Sequence, residues 1–179
     1  LIDKAIKVLS QLALYLSLLQ WIIRLALMYF WIVKSIKTNN MSQKTKITIG
    51  STVNAPVAKV WKAWNTPADI MQWNAADPSW HSPSSENDLS VGGKFKHRME
   101  AKDGSFGFDF EGTYDTVALH KEISYTMGDG RKATTLFTEQ DGKTTIQTTF
   151  DAETQNDPEF QKQGWQAILN SFVKYVESH

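Results

Sequence analysis

Cysteine is absent from the 179-residue chain, which excludes disulfides and thiolate chemistry. Nothing therefore argues for an oxidising compartment, and a cytoplasmic location is expected unless the N-terminus anchors the chain to a membrane. Also missing are a Gly-x-Ser-x-Gly elbow, a phosphate-binding loop and a dinucleotide fingerprint, and the Ser and Thr residues fall into no triad order. No cofactor is expected. Histidine is scarce, at four, and His81 stands beside Trp80 with no Cys or Asp-His pattern at ligand spacing, so no metal is expected either. Net charge is zero, and no basic stripe runs through the longer, acidic part of the chain, which makes nucleic acid an unsuitable partner.

That zero conceals a split. Residues 1–40 carry five basic side chains against Asp3, a balance of +4, while residues 41–179 carry 14 basic and 18 acidic ones, a balance of −4. Within the first part, 21 of the 26 residues from 8 to 33 are apolar and Arg24 is the one charge. That length spans a bilayer. A central Arg opposes insertion by roughly 2.5–3.5 kcal/mol, and each Leu, Ile, Val or Phe favours it by about 0.3–0.6 kcal/mol. Lys4 and Lys7 on one flank and Lys34 and Lys37 on the other leave orientation undecided, and the run is too long for a signal-peptide core. Three readings stay open: a membrane anchor, a helix buried in a partner, or upstream sequence joined to a domain that starts at Met41-Ser42-Gln43-Lys44. A membrane partner follows only if residues 1–40 are native to the working protein. The domain is expected over residues 41–179.

Its periodicity is informative. Ile47, Ile49 and Val53 alternate with polar residues, as in a half-buried strand. Asn54-Ala55-Pro56 opens a short helix bearing Val57, Val60, Trp61 and Trp64, and Thr66-Pro67-Ala68-Asp69 opens a second, with Thr66 as its cap, ending near Trp73. Residues 74–90 read as a polar loop beside a cavity, placed as a lid would be or as an ordinary surface connection. The alternation is cleanest over residues 94–102, with Phe95, His97, Met99 and Ala101 on one face. Phe106, Phe108, Phe110 and Tyr114 form another inward set, followed by Ile123, Tyr125 and Met127, then a hairpin around Asp141-Gly142 with Ile146 and Phe150 inward. Finally, Phe160, Trp165, Ile168, Leu169, Phe172, Val173 and Val176 make a helical stripe, with Asp157 as cap and Pro158 at the first position. A stripe that long must be buried, and an antiparallel sheet is the large partner available. The expected architecture is α+β: a curved antiparallel sheet around a long C-terminal helix, a helix-grip fold, with two short helices after the first strand.

Val53-Asn54-Ala55-Pro56-Val57-Ala58-Lys59-Val60-Trp61, Asp88-Leu89-Ser90-Val91-Gly92-Gly93-Lys94-Phe95, Glu111-Gly112-Thr113-Tyr114 and Gly164-Trp165-Gln166-Ala167-Ile168-Leu169 carry a family resemblance. Together, over about residues 42–178, they resemble the SRPBCC (START-like) superfamily, in particular the branch named for activators of the heat-shock protein 90 ATPase, as small stand-alone bacterial homologues. The resemblance implies a hydrophobic cavity between sheet and last helix. Superfamily members bind lipids, sterols, polyketides or plant aromatics, and a few are cyclases or hydrolases. The chaperone activator itself is a two-domain co-chaperone. Residues 1–40 are expected to be too short and too apolar to supply its other domain, so the family name by itself does not imply chaperone activation.

Three functions follow as expectations. The first is non-catalytic binding of a small hydrophobic or aromatic ligand, lipid-like or polyketide-like, between the last helix (Trp165, Leu169, Phe172) and the inner sheet face (His97, Met99, Phe108, Tyr125). Trp64, Trp73 and Trp80 would flank the entrance that the resemblance implies. The second is a co-chaperone-like protein-interaction module, whose partner is a chaperone or another protein. The third is an enzyme of the cyclase or hydrolase kind using His97 and Tyr125, although a hydrogen-bonded core histidine and a cavity-mouth tyrosine explain the same residues. Asp109 and Glu111 share a face opposite the aromatics, where a solvated sheet surface accounts for both.

Overall fold

The computed structural model describes residues 24–25, 27–30 and 45–179. The expectations placed on residues 1–40 lie outside the described residues, apart from residues 24–25 and 27–30, which are helical with exposed side chains. Among the described residues no helix is long and apolar enough to cross a membrane. Thr45–His179 forms one compact unit.

Its elements run β1 (Lys46–Val53), α1 (Val57–Asn65), α2 (Pro67–Trp73), β2 (Trp80–Asn87), β3 (Lys94–Ala101), β4 (Gly107–Ala118), β5 (Glu122–Met127), β6 (Lys132–Gln140), β7 (Lys143–Asp151) and α3 (Pro158–Ser178). The seven strands make one antiparallel, curved half-barrel sheet in the order β1-β7-β6-β5-β4-β3-β2. Only β1 joins out of sequence, because α1, α2 and β2 follow it and the later hairpins return the chain to its side. Short turns set the rest. At Asp141-Gly142 both residues take positive φ, 51° and 72°, the conformation a two-residue hairpin turn requires.

Alternation sends one side chain in two toward the helices, and this inner face is the core. Ile47, Ile49, Val53, Phe95, Met99, Tyr114, Ile123, Met127, Phe137, Ile146 and Phe150 are buried there. The outer face is polar, with threonine pairs such as Thr48–Thr149 at 2.9 Å and Thr52–Thr145 at 3.2 Å across β1 and β7. Its ion pairs, Lys96–Asp109 at 2.8 Å and Arg98–Glu100 at 3.0 Å, are solvated and add little to stability. Asp109 is thus engaged by cations on the outside of the sheet.

The long helix grips that inner face. Asp157 caps it, its Oδ1 accepting from the Glu159 N–H at 2.8 Å, and Pro158 fills the first position. Leu169, Phe172 and Val176 are buried. Gln166 spans the open edge of β1, accepting from the Gly50 N–H at 3.3 Å and donating to its carbonyl at 3.2 Å, so the helix covers backbone groups that would otherwise invite another strand.

Four sequence expectations are corrected. Residues 74–90 are not all loop, since Trp80–Asn87 forms the edge strand β2. Its polar composition hides it, and Pro83 is tolerated because the register shifts between His81 and Ser84, a bulge on an edge strand. Phe160 is 67% exposed, and the neighbouring Gln161 is buried in its stead. Gln161 binds the loop before the helix, accepting from the Glu153 N–H at 2.9 Å and donating to the Glu153 and Asn156 carbonyls at 3.1 and 2.8 Å. Phe106 also faces solvent, at 62% exposed. Thr66 stands at the start of α2, but its hydroxyl donates back to the Lys62 carbonyl at the end of α1, at 2.7 Å, and does not cap α2.

Gly112 shows how tight the inner face is. It lies opposite Phe95, and a Cβ there would approach the Phe95 ring to 2.8 Å and the Thr126 carbonyl oxygen to 2.7 Å. Gly112→Ala is expected to destabilise the domain by about 1–3 kcal/mol, measured by urea unfolding, because neither ring nor strand has room to retreat. A change below about 0.5 kcal/mol, the spread of neutral surface substitutions, would contradict this packing.

Candidate ligand cavity between sheet and last helix

The inner face and α3 do not close completely on each other. A cavity of about 160 Å³ remains between them. Ile49 of β1, Phe95, His97 and Met99 of β3, Phe108, Phe110 and Tyr114 of β4, Ile123 and Tyr125 of β5, Thr135 of β6 and Thr148 of β7 form its floor. Trp64, Ile70, Trp73 and Asn74 close it from the α1–α2 side, and Trp165, Ile168 and Leu169 from α3. No Asp, Glu, Lys or Arg belongs to this wall.

Ring packing keeps the space open. Trp165 stacks on Phe150 with centroids 4.0 Å apart and meets Phe110 edge-on at 5.8 Å, which fixes the indole as a side wall. Trp64 and Trp73 stack at 5.4 Å and rest edge-on against Phe172 at 4.8 and 5.0 Å. Polar atoms are tied down by a relay behind the wall. The Tyr114 hydroxyl donates to Asn87 Oδ1 at 2.8 Å, Asn87 Nδ2 donates to the Asn65 carbonyl at 2.7 Å, and Trp73 Nε1 donates to the Ala63 carbonyl at 3.0 Å. Thr135 and Thr148 pair their hydroxyls at 2.9 Å.

His97 Nδ1 lies 2.9 Å from the Ser85 hydroxyl. Burial lowers its pKa to about 4, against a smaller opposing backbone interaction at Lys96, so the ring is neutral at pH 7. Burial is also the main reason that the Tyr125 and Tyr114 phenols are pushed above their usual value; the nearby Tyr114 reinforces it for Tyr125, and the Asn87 bond opposes it for Tyr114. Every titratable group in the wall is therefore uncharged at neutral pH.

Of the residues chosen from sequence, Trp64, Trp73, His97, Met99, Phe108, Tyr125, Trp165 and Leu169 line the cavity. Trp80 does not: it packs with Phe106 and Phe108 at 6.2 and 6.1 Å, outside the wall. Phe172 is fully buried behind Trp64 and Trp73 and supports the wall without lining it. His97 and Tyr125 are both present but do not pair. Phe95 lies between them, stacked on His97 at 5.2 Å and edge-on to Tyr125 at 4.9 Å, so no acid–base couple forms. Sequence reasoning missed Thr135, Thr148, Asn74 and Ile70. The two threonines were within reach, since they alternate with Phe137, Ile146 and Phe150; Asn74, just past the end of α2, had no periodic signal.

A sheet wrapped on one long helix with an apolar space between them defines the helix-grip class. Residues 54–177 match the family model described as Activator of Hsp90 ATPase homolog 1-like protein, and the chain belongs to this family. An AHSA1-like protein from Aeromonas hydrophila, solved in solution, is 47% identical with a TM-score of 0.71, over 75% of this chain and 93% of that one. A protein from Cytophaga hutchinsonii, also solved in solution, is 53% identical with a TM-score of 0.66, over 74% and 92% of the two chains. A Chromobacterium violaceum protein at 21% identity shares the fold, with a TM-score of 0.68 over 74% and 98%. No curated protein matches the chain.

Proposed function

We propose that the domain is a non-catalytic binding module for a small, uncharged, apolar or aromatic molecule, held between α3 and the inner sheet face. The cavity itself carries this reading. Interiors pack at crystal-like density with few voids beyond a water molecule. A space of about 160 Å³ walled by Trp64, Phe110, Trp165 and Leu169, with no charged side chain, departs from that rule. Apolar cavities of roughly 150 Å³ take a benzene-sized guest. The volume favours one ring or a short chain over the lipid-like or polyketide-like ligands the resemblance suggested, which need the walls to part.

Native mass spectrometry of the protein purified from cells tests this. A stoichiometric neutral adduct is expected, and it should be lost in Ile168→Trp, where the larger ring occupies the space. A clean unliganded mass, unchanged after incubation with single-ring aromatics, would count against the reading. A co-chaperone-like role is the second reading, favoured by the exposed Phe106 and Phe108 clustered with the half-buried Trp80, ring centroids 6.1–6.3 Å apart. A rise in the ATPase rate of a heat-shock protein 90 homologue would support it, and an unchanged rate at saturating excess would remove it.

A further inference from the structure

Resting on the cavity reading above, the geometry points to a ligand of narrower chemistry: a neutral single-ring molecule bearing a hydrogen-bonding oxygen, of the phenol or aryl-carbonyl class, with Asn74 and Tyr125 as its polar anchors. The polar groups of the wall divide into two sets. The set without protein partners among the described residues holds the Trp64 and Trp165 indole N–H groups and His97 Nε2 beside the Asn74 carboxamide and the Tyr125 hydroxyl, of which only Asn74 offers both donors and an acceptor. Tyr114, Trp73, the Thr135–Thr148 pair and His97 Nδ1 all have protein partners. Asn74 is only 7% exposed, yet its carboxamide has no hydrogen-bond partner among the described residues; its backbone N–H is used by the Ile70 carbonyl. The Tyr125 hydroxyl likewise has none, and its surroundings hold the phenol protonated.

Burying a polar group without a partner is costly, and native structures seldom leave one so without a reason. Yet no buried side-chain oxygen or nitrogen is both sealed from space and unpartnered among the described residues. The Asn74 amide and Tyr125 hydroxyl are therefore not sealed, and both residues line the cavity. A carboxamide supplies both donors and an acceptor, and a protonated phenol supplies a donor. The pair suits an oxygen that accepts, donates, or does both. The same wall offers no cation to a carboxylate and no anion to an amine, and its one imidazole is neutral at pH 7. Charged ligands would be stripped of water with nothing to replace it.

Isothermal titration of the full chain with p-cresol, toluene, benzoate and benzylammonium tests this, alongside Tyr125→Phe and Asn74→Leu. In the wild type p-cresol is expected to bind about tenfold more tightly than toluene, the gain of one good buried hydrogen bond. Benzoate and benzylammonium should show no heat of binding. Tyr125→Phe keeps the ring, so its melting temperature should be unchanged or raised, while the preference for p-cresol shrinks. Asn74→Leu should shrink it further and leave toluene bound. Equal binding of p-cresol and toluene to the wild type, or a preference that survives in Tyr125→Phe and Asn74→Leu alike, overturns the assignment of anchors but leaves the cavity as a hydrocarbon site. Tighter binding of benzoate overturns the neutral class. Binding of neither toluene nor p-cresol defeats the cavity reading with it. Should Asn74→Leu fail to fold, Tyr125→Phe decides alone.

Discussion

Phe172→Ala is expected to lower the free energy of unfolding by about 3–5 kcal/mol, a large share of the roughly 5–15 kcal/mol available to a domain. Phe172 has no exposed surface, and two indoles stand edge-on to it, Trp64 at 4.8 Å and Trp73 at 5.0 Å. Removing the ring deletes its own burial and leaves both indoles facing a void. Because Trp64 belongs to α1 and Trp73 to α2, the change loosens the two short helices from α3 together. Those indoles also close the cavity, so the variant should lose ligand selectivity along with stability. Phe172→Leu should recover most of the loss. Urea midpoints for the three proteins decide the matter, and a loss under about 1 kcal/mol for Phe172→Ala would mean that the site collapses freely, against the packing described.

The second large effect is on pH. His97 titrates near 4 in the folded protein, against about 6.5 for an unperturbed imidazole. Between these values the unfolded chain holds a proton that the folded one does not, so stability rises with pH through this window and falls on acidification. At about 1.4 kcal/mol per pH unit, the loss from pH 7 to pH 4 comes to about 3 kcal/mol. His97→Gln keeps a hydrogen-bonding side chain for Ser85 but cannot titrate, and its stability should be nearly flat over the same window. Exposed carboxylates such as Asp109, held low first by its bond to Lys96, are common to both proteins and lose their contribution at lower pH. The difference between the two pH profiles therefore isolates His97. Parallel profiles would show that His97 is protonated in the fold without penalty.

The sheet and last helix were legible because burial enforces period. The inner residues of β1, β3, β5 and β7 alternate, and Leu169, Phe172 and Val176 recur at helical spacing, since each side chain on the wrong face would lose its burial. β2 was not legible. Its strand character comes from pairing with β3, and Trp80–Asn87 contains neither alternation nor β-branched residues to announce it. The exchange of Phe160 for Gln161 escaped for a related reason: Gln161 is buried to satisfy backbone groups of the loop at Glu153 and Asn156, a need that hydrophobicity does not express. In the cavity, residues on regular elements were foreseeable, whereas Asn74 beyond the end of α2 was not. Trp80 failed because it opens the unforeseen strand β2, which sets it beside Phe106 and Phe108 instead of at the cavity.

The most direct test of the ligand cavity is a two-dimensional NMR titration of the protein with toluene, following the indole N–H signals of the tryptophans and the methyl signal of Met99. Saturable shifts at Trp64, Trp73, Trp165 and Met99, with Trp80 little changed, are the predicted result, because the first four line the cavity and Trp80 does not. No saturable shift up to the solubility of toluene, or shifts centred on Trp80, would contradict it and move the functional surface to the exposed rings outside.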